Sequence, residues 1–186
     1  MDLLFALWLP ILLSGVAVFF LSFVMWMVMP HHKSDWAAIP DEDKLMEAIG
    51  DAPRGMYMFP FCDDPEQFKA GSEWTKKRDA GPSGTVIVRP RGPWSMGKSL
   101  AQSFVFNLVV SFCTAYVATI GLVEGAPEMD VFRLTATVSF LAYSGALIWD
   151  LIWWQKPLVA VGKNLVDGLL YGIATGALFM VFWPGA

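Results

Sequence analysis

Long apolar stretches, interrupted only at wide intervals by polar residues, set the pattern of this chain. Four runs stand out: Leu3 to Met29, Leu100 to Leu122, Val131 to Trp154 and Pro157 to Trp183. Each exceeds the roughly 20 residues that a helix needs to cross about 30 Å of hydrocarbon. The pattern therefore predicts an all-α integral membrane protein, a bundle of four transmembrane helices. As a straight helix the first run would measure about 40 Å, so it must tilt or bend at Pro10. It is too long for the apolar part of a signal peptide and no small-x-small cleavage site follows it, so it reads as a retained span. The turn at Gln155-Lys156-Pro157 makes the last two helices an antiparallel hairpin.

Between the first two spans the pattern changes. Residues 30–99 are polar and rich in turns, and read as a small mixed α/β insert separating helix 1 (residues 1–29) from a three-helix part (residues 100–186). Asp41 to Ile49 reads as a short helix, with acids at its start and Gly50 at its end. Residues 65–78 suit a second one. Gly55 to Phe59 and Gly84 to Arg89 read as extended segments that could pair, although a two-stranded ribbon is marginal alone.

Composition sharpens this picture. The chain has 186 residues, of which 55% are hydrophobic and 16% charged. A soluble domain would carry about 25% charged residues, and the mean hydropathy of +0.49 agrees with a membrane setting. A net charge of −4 gives no footprint for nucleic acid. The basic residues are unevenly spread: Pro30 to Ser99 holds ten of the 13 Lys and Arg, and the loop from Val123 to Asp130 holds none. Positive-inside bias then puts the insert in the cytoplasm and both termini outside. Trp26, Trp149, Trp153 and Trp154 mark one interface, Trp8 and Trp183 the other.

Ionisable residues inside apolar runs are functional hypotheses by default. Asp150 and Lys163 fall at similar depth across the last hairpin, and Asp167 lies one helical turn beyond Lys163. The expectation is an intramembrane polar cluster, with Lys163 paired to Asp150 and to Asp167. It would be either an ion-paired clamp or a proton or cation site, to which Asn107 and Asn164 could add oxygens. A second group, His31, His32 and Asp35, follows the first span. With Asp150 or Asp167 from neighbouring helices, these histidines could complete a metal site of imidazole and carboxylate. Against this, adjacent residues on a helix point about 100° apart, so two neighbouring imidazoles do not easily share one ion.

Gly92-Pro-Trp-Ser-Met-Gly97-Lys98-Ser99 satisfies the phosphate-loop pattern. Its context opposes that reading: Gly97, Lys98 and Ser99 open a membrane span, and Trp94 and Met96 stand where small residues should let the loop curl around phosphate. Nucleotide binding is not expected from Gly92, Gly97, Lys98 and Ser99. Gly168, Gly172 and Gly176 recur every fourth residue and admit close backbone approach, either within the bundle or against another subunit or a second copy. No nucleophile–base arrangement is visible, which argues against an enzyme, and the sequence names no cofactor.

The segments Pro30-His-His-Lys-Ser-Asp-Trp36, Ile39-Pro-Asp-Glu-Asp43 and Tyr57-Met-Phe-Pro60 resemble those of an uncharacterised family of small bacterial inner-membrane proteins. The resemblance implies a multi-pass protein of the bacterial inner membrane with four helices. It implies no activity and no catalytic residue. Three functional expectations follow. The leading one is an accessory or scaffolding subunit of a membrane complex, in contact with lipid and with other membrane subunits. The second is a small proton- or cation-coupled transporter or channel subunit using Asp150, Lys163 and Asp167. The third is a membrane-embedded metal-binding protein or enzyme.

Overall fold

The computed structural model describes residues 2–185. They form two compact units: the chain up to Ala37 together with Ser95 onward, and Ala38–Trp94 between them.

The first unit holds four helical segments long and apolar enough to cross a membrane, Trp8–Val28, Met96–Gly121, Glu128–Trp153 and Leu158–Val181. The protein is therefore described as a multi-pass membrane protein. The first span begins as α1 (Asp2–Ala6), breaks at Leu7 and resumes as α2 (Trp8–Phe23). Pro10 explains the break, because its ring clashes with the carbonyl four residues back and it offers no N–H to it. The bend expected at Pro10 is thus displaced one turn toward the N-terminus. Val24–Val28 closes the span as a π-turn, with Met29 N–H donating to the Val24 carbonyl at 2.9 Å. Met29 is then extended (φ −72°, ψ 136°), as a residue preceding proline must be. Pro30 opens a 3-10 helix, Pro30–Asp35.

The other spans are α5 (Met96–Gly121), α6 (Glu128–Trp153) and α7 (Leu158–Val181), which follow α3 (Glu42–Ile49) and α4 (Glu73–Ala80) of the second unit in chain order. The Ser95 hydroxyl caps α5 by accepting from Lys98 N–H at 3.3 Å. Gln155, at φ 49°, turns the chain between α6 and α7. The glycine ridge of α7 faces α6. A Cβ at Gly172 would stand 2.8 Å from the Ala136 carbonyl oxygen, and one at Gly176 would stand 2.8 Å from the Ala136 Cβ. Large side chains such as Val105, Phe106, Val109 and Phe112 of α5 point outward. At the end of the bundle away from Pro30, Leu7, Ala115, Ala118, Val131, Phe179 and Trp183 form a buried apolar cluster.

The second unit contains α3 (Glu42–Ile49), α4 (Glu73–Ala80) and a hairpin of β1 (Gly55–Phe59) and β2 (Gly84–Val88). The strands pair antiparallel, with Tyr57 opposite Val86. Asp41 caps α3, accepting from Lys44 N–H at 3.2 Å, and Gly50 ends it at φ 52°. The single helix expected over residues 65–78 is corrected. Gly71, at φ 81°, separates a 3-10 turn at Pro65–Phe68 from α4, which Ser72 caps.

Candidate metal centre at the end of the first span

The backbone break at Met29–Pro30 turns the 30–35 segment onto α7. Lys163 and Asp167 stand one helical turn apart on α7, so both side chains face the same way. The Lys163 ammonium donates to the Asp35 carboxylate at 2.6 Å, to the Ser34 hydroxyl at 2.7 Å and to the His31 carbonyl. All three donors of the ammonium are used. Lys163 therefore fastens the 3-10 turn in place.

Asp167 is almost fully buried and receives both imidazoles. Its Oδ1 lies 3.2 Å from His31 Nε2, and its Oδ2 lies 2.8 Å from His32 Nε2. The other ring nitrogen of His32, Nδ1, stands 2.6 Å from the Asp35 carboxylate. An ionised carboxylate only accepts hydrogen bonds, so a ring held between two of them carries a proton on each nitrogen. Burial lowers the affinity of His32 for its second proton. The hydrogen bonds and charges of Asp167 and Asp35 outweigh that effect and hold its pKa above the ordinary 6.5. The Asp35 carboxyl is held below its ordinary 3.8, first by the hydrogen bond from Lys163 and then by that from His32. Trp26 stacks flat on His32, with ring centres 3.9 Å apart and planes within 8°. His31 is tilted against His32 at 4.1 Å, and its Nδ1 is buried without a partner.

One donor atom each from His31, His32 and Asp167 lie within 4.8 Å of one another. Around a tetrahedral ion with bonds of about 2.0–2.1 Å, ligand atoms sit roughly 3.3 Å apart. The two imidazoles lie 3.2 and 2.8 Å from different oxygens of Asp167, and a single donor set within 4.8 Å would have to draw together around an ion. Behind them, Asp35 on His32 Nδ1 is the carboxylate that usually orients a metal-bound imidazole and raises its basicity.

Several expectations change at this point. Lys163 pairs with Asp35, not with Asp150 or Asp167. Asp150 joins Lys156 at 2.5 Å in a pair open to solvent, because the turn at Gln155 brings that nearer ammonium back to it. The expected trio of Asp150, Lys163 and Asp167 is not assembled. Asp35 stands behind the histidines and not among the converging donors. Adjacent histidines do reach one carboxylate, because they lie on a short 3-10 turn and approach the two oxygens of Asp167 separately. Asn107 accepts from Tyr143 at 3.2 Å and Asn164 donates to the Ala160 carbonyl at 2.8 Å, so neither adds to the site. Gly92 (φ 122°) lies in the second unit, while Gly97, Lys98 and Ser99 lie in the first turn of α5. There Ser99 Oγ donates to the Ser95 carbonyl at 3.5 Å.

Sequence reasoning missed the roles of Trp26 and Ser34. The four-residue spacings from Trp26 to Pro30 and from Lys163 to Asp167 carried no cue that these segments meet. The fold and site define a class, a membrane protein of four apolar spans with a histidine–aspartate–lysine cluster where the first span ends. No family model, curated protein or solved structure matches the chain.

Proposed function

We propose that this protein binds a divalent first-row transition metal ion through His31, His32 and Asp167. One observation carries the reading: three donors from segments about 135 residues apart converge, with a carboxylate already on the far nitrogen of one imidazole. Two imidazoles and one carboxylate suit ions of the zinc, iron and manganese group. Binding replaces the Nε2 proton of His32, so the ion competes with protons. Zinc titration of detergent-purified, metal-free protein by calorimetry tests the reading. It expects one site per chain, and loss of that site in Asp167→Asn. Absence of a site in the unaltered protein would overturn it.

An accessory role in a membrane complex is the second reading. Phe61, Phe68, Met56 and Ile87 of the second unit are well exposed, which favours a surface that meets another molecule. Mild-detergent purification resolved by size, with bound proteins identified, tests it. Co-elution with a larger assembly supports it, and a lone chain opposes it. The bacterial inner membrane, with the 30–99 segment cytoplasmic, remains the proposed location. It is supported by the ten basic residues of that segment and by the resemblance of the 30–60 region.

A further inference from the structure

The second unit has almost no interior. Among its described residues, 38–94, only Thr75 is buried, and none of the buried apolar residues belongs to it. A two-stranded ribbon is marginal in water unless a face of it packs on something. One face of the β1–β2 hairpin partly covers itself. Phe59 lies across Gly84, where a Cβ would stand 2.9 Å from its ring, and the Tyr57 hydroxyl donates to the Pro53 carbonyl at 2.7 Å. The other face is bare. Residues directly opposite in the ladder share a face, so Met56, Ile87, Met58 and Thr85 stand together. Met56 and Ile87 are 62% and 66% exposed, and Met58 is 47% exposed. No charged side chain interrupts either strand.

Two features say what covers this face. The first is charge. Arg54 and Arg89 stand just beyond the last pair of the ladder, Gly55 and Val88. Together with Arg91, Met46, Ile49 and Val88 they line an open cleft of about 560 Å³. Arg91 is held by Asp51 at 2.6 Å. Among the described residues no carboxylate pairs with Arg54 or Arg89. The acids Asp63 and Asp64 follow the opposite end of the hairpin, beyond Phe59. The second feature is the tether. Seven residues, Arg89 to Ser95, join the basic end to α5. At no more than 3.6 Å per residue, the chain keeps Val88 within about 29 Å of Met96. The apolar run of α5 begins at Leu100, so the basic end is the one tied to the headgroup layer.

We propose that the bare face of the hairpin lies on the surface of the bilayer that the spans cross, with Arg54 and Arg89 on the phosphates of anionic phospholipids. Met56, Met58 and Ile87 enter the boundary between headgroups and acyl chains, as the apolar face of an interfacial helix does. Guanidinium groups pair bidentately with phosphate oxygens. Lipid then supplies the apolar partner that the unit lacks within itself. The metal reading uses no residue of this unit, so the two stand or fall separately. Phe61 and Phe68 lie off this face and stay open to the accessory reading.

The test uses the full chain in nanodiscs of phosphatidylcholine with phosphatidylglycerol, in a Cys62→Ser, Cys113→Ala background. A nitroxide is attached at Ile87→Cys, at Met58→Cys and, as a wet reference, at Lys76→Cys on α4. Collisions with oxygen, which concentrates in lipid, are compared with collisions with a water-soluble nickel chelate. Labels at 87 and 58 should meet oxygen more often, and the chelate less often, than the label at 76. Arg54→Gln with Arg89→Gln should lower the ratio of docked to free label roughly 30-fold, as two basic groups near an anionic surface warrant.

Labels at 87 and 58 as wet as that at 76 overturn the docking. A label shielded from both reagents also overturns it, because protein would then cover the face. Spin–spin broadening that vanishes on dilution with unlabelled protein overturns it in favour of a second copy. Docking indifferent both to the arginine variants and to removal of phosphatidylglycerol overturns the phosphate contacts.

Discussion

His32 concentrates the chemistry of the site in one ring. It is stacked on Trp26, bonded to Asp35 on one side and Asp167 on the other, and close to His31, while Lys163 balances Asp35. A raised folded-state pKa stabilises the fold fully below the unfolded value of 6.5, and that contribution fades as pH rises through the raised value. Asp35 acts in the opposite sense. Its lowered pKa stabilises above about 3.8 and is lost as pH falls through the folded value. Metal-free protein should therefore melt highest between these limits, and at a lower temperature at pH 9 than at pH 6. His32→Gln should flatten the alkaline fall in the melting curve.

Zinc affinity should move the other way with pH. It should gain about tenfold per pH unit while one proton is displaced, and level off above the raised value. Asp35→Asn keeps the three converging donors but weakens the hold on Nδ1. It should cost roughly 10–100-fold in zinc affinity, whereas Asp150→Asn should leave that affinity unchanged. Calorimetry across a pH series checks all three.

At the scale of elements, the site depends on two departures from regular helix, the π-turn at Val24–Val28 and the 3-10 turn at Pro30–Asp35. Pro30 was readable as a break, and the restriction it imposes on Met29 is a local rule. The direction in which the following turn would fold was not readable, because it depends on a lysine 128 residues away in sequence. The α6–α7 seam was more legible, since glycines at four-residue spacing state a close approach without naming the partner. Gly172→Ala should destabilise the bundle by about 1–3 kcal/mol, because the methyl meets a backbone oxygen that cannot swing aside. Gly162→Ala, with nothing within 4 Å of its new Cβ, should be tolerated. Thermal melting in one detergent compares the pair.

For the whole molecule, the four spans were legible because hydropathy acts over some 20 residues and tolerates errors at each end. The hairpin of the second unit was legible from its glycine and proline punctuation. The site was legible only in its members. Asp167 stood out as an ionisable residue inside an apolar run, and His31 and His32 as candidate ligands following the first span, but sequence spacing paired Lys163 with Asp150 and Asp167 where the structure pairs it with Asp35. Within a helix pair, depth can be counted from the turn. Between α7 and a turn that has left its helix, it cannot.

Orientation belongs to this scale as well. In intact cells a membrane-impermeant maleimide should leave Cys62 unlabelled in a Cys113→Ala background, and should label it after lysis. Labelling of intact cells would reverse the proposed orientation.

The central claim, a metal held by His31, His32 and Asp167, is met most directly by X-ray absorption at the zinc edge of zinc-loaded protein. The account predicts nitrogen and oxygen neighbours at about 2.0–2.1 Å with the outer-shell scattering of two imidazoles. It also predicts loss of that scattering in His31→Ala, His32→Ala double-variant protein. A sulfur shell at about 2.3 Å, or a spectrum of hydrated zinc alone, would contradict it.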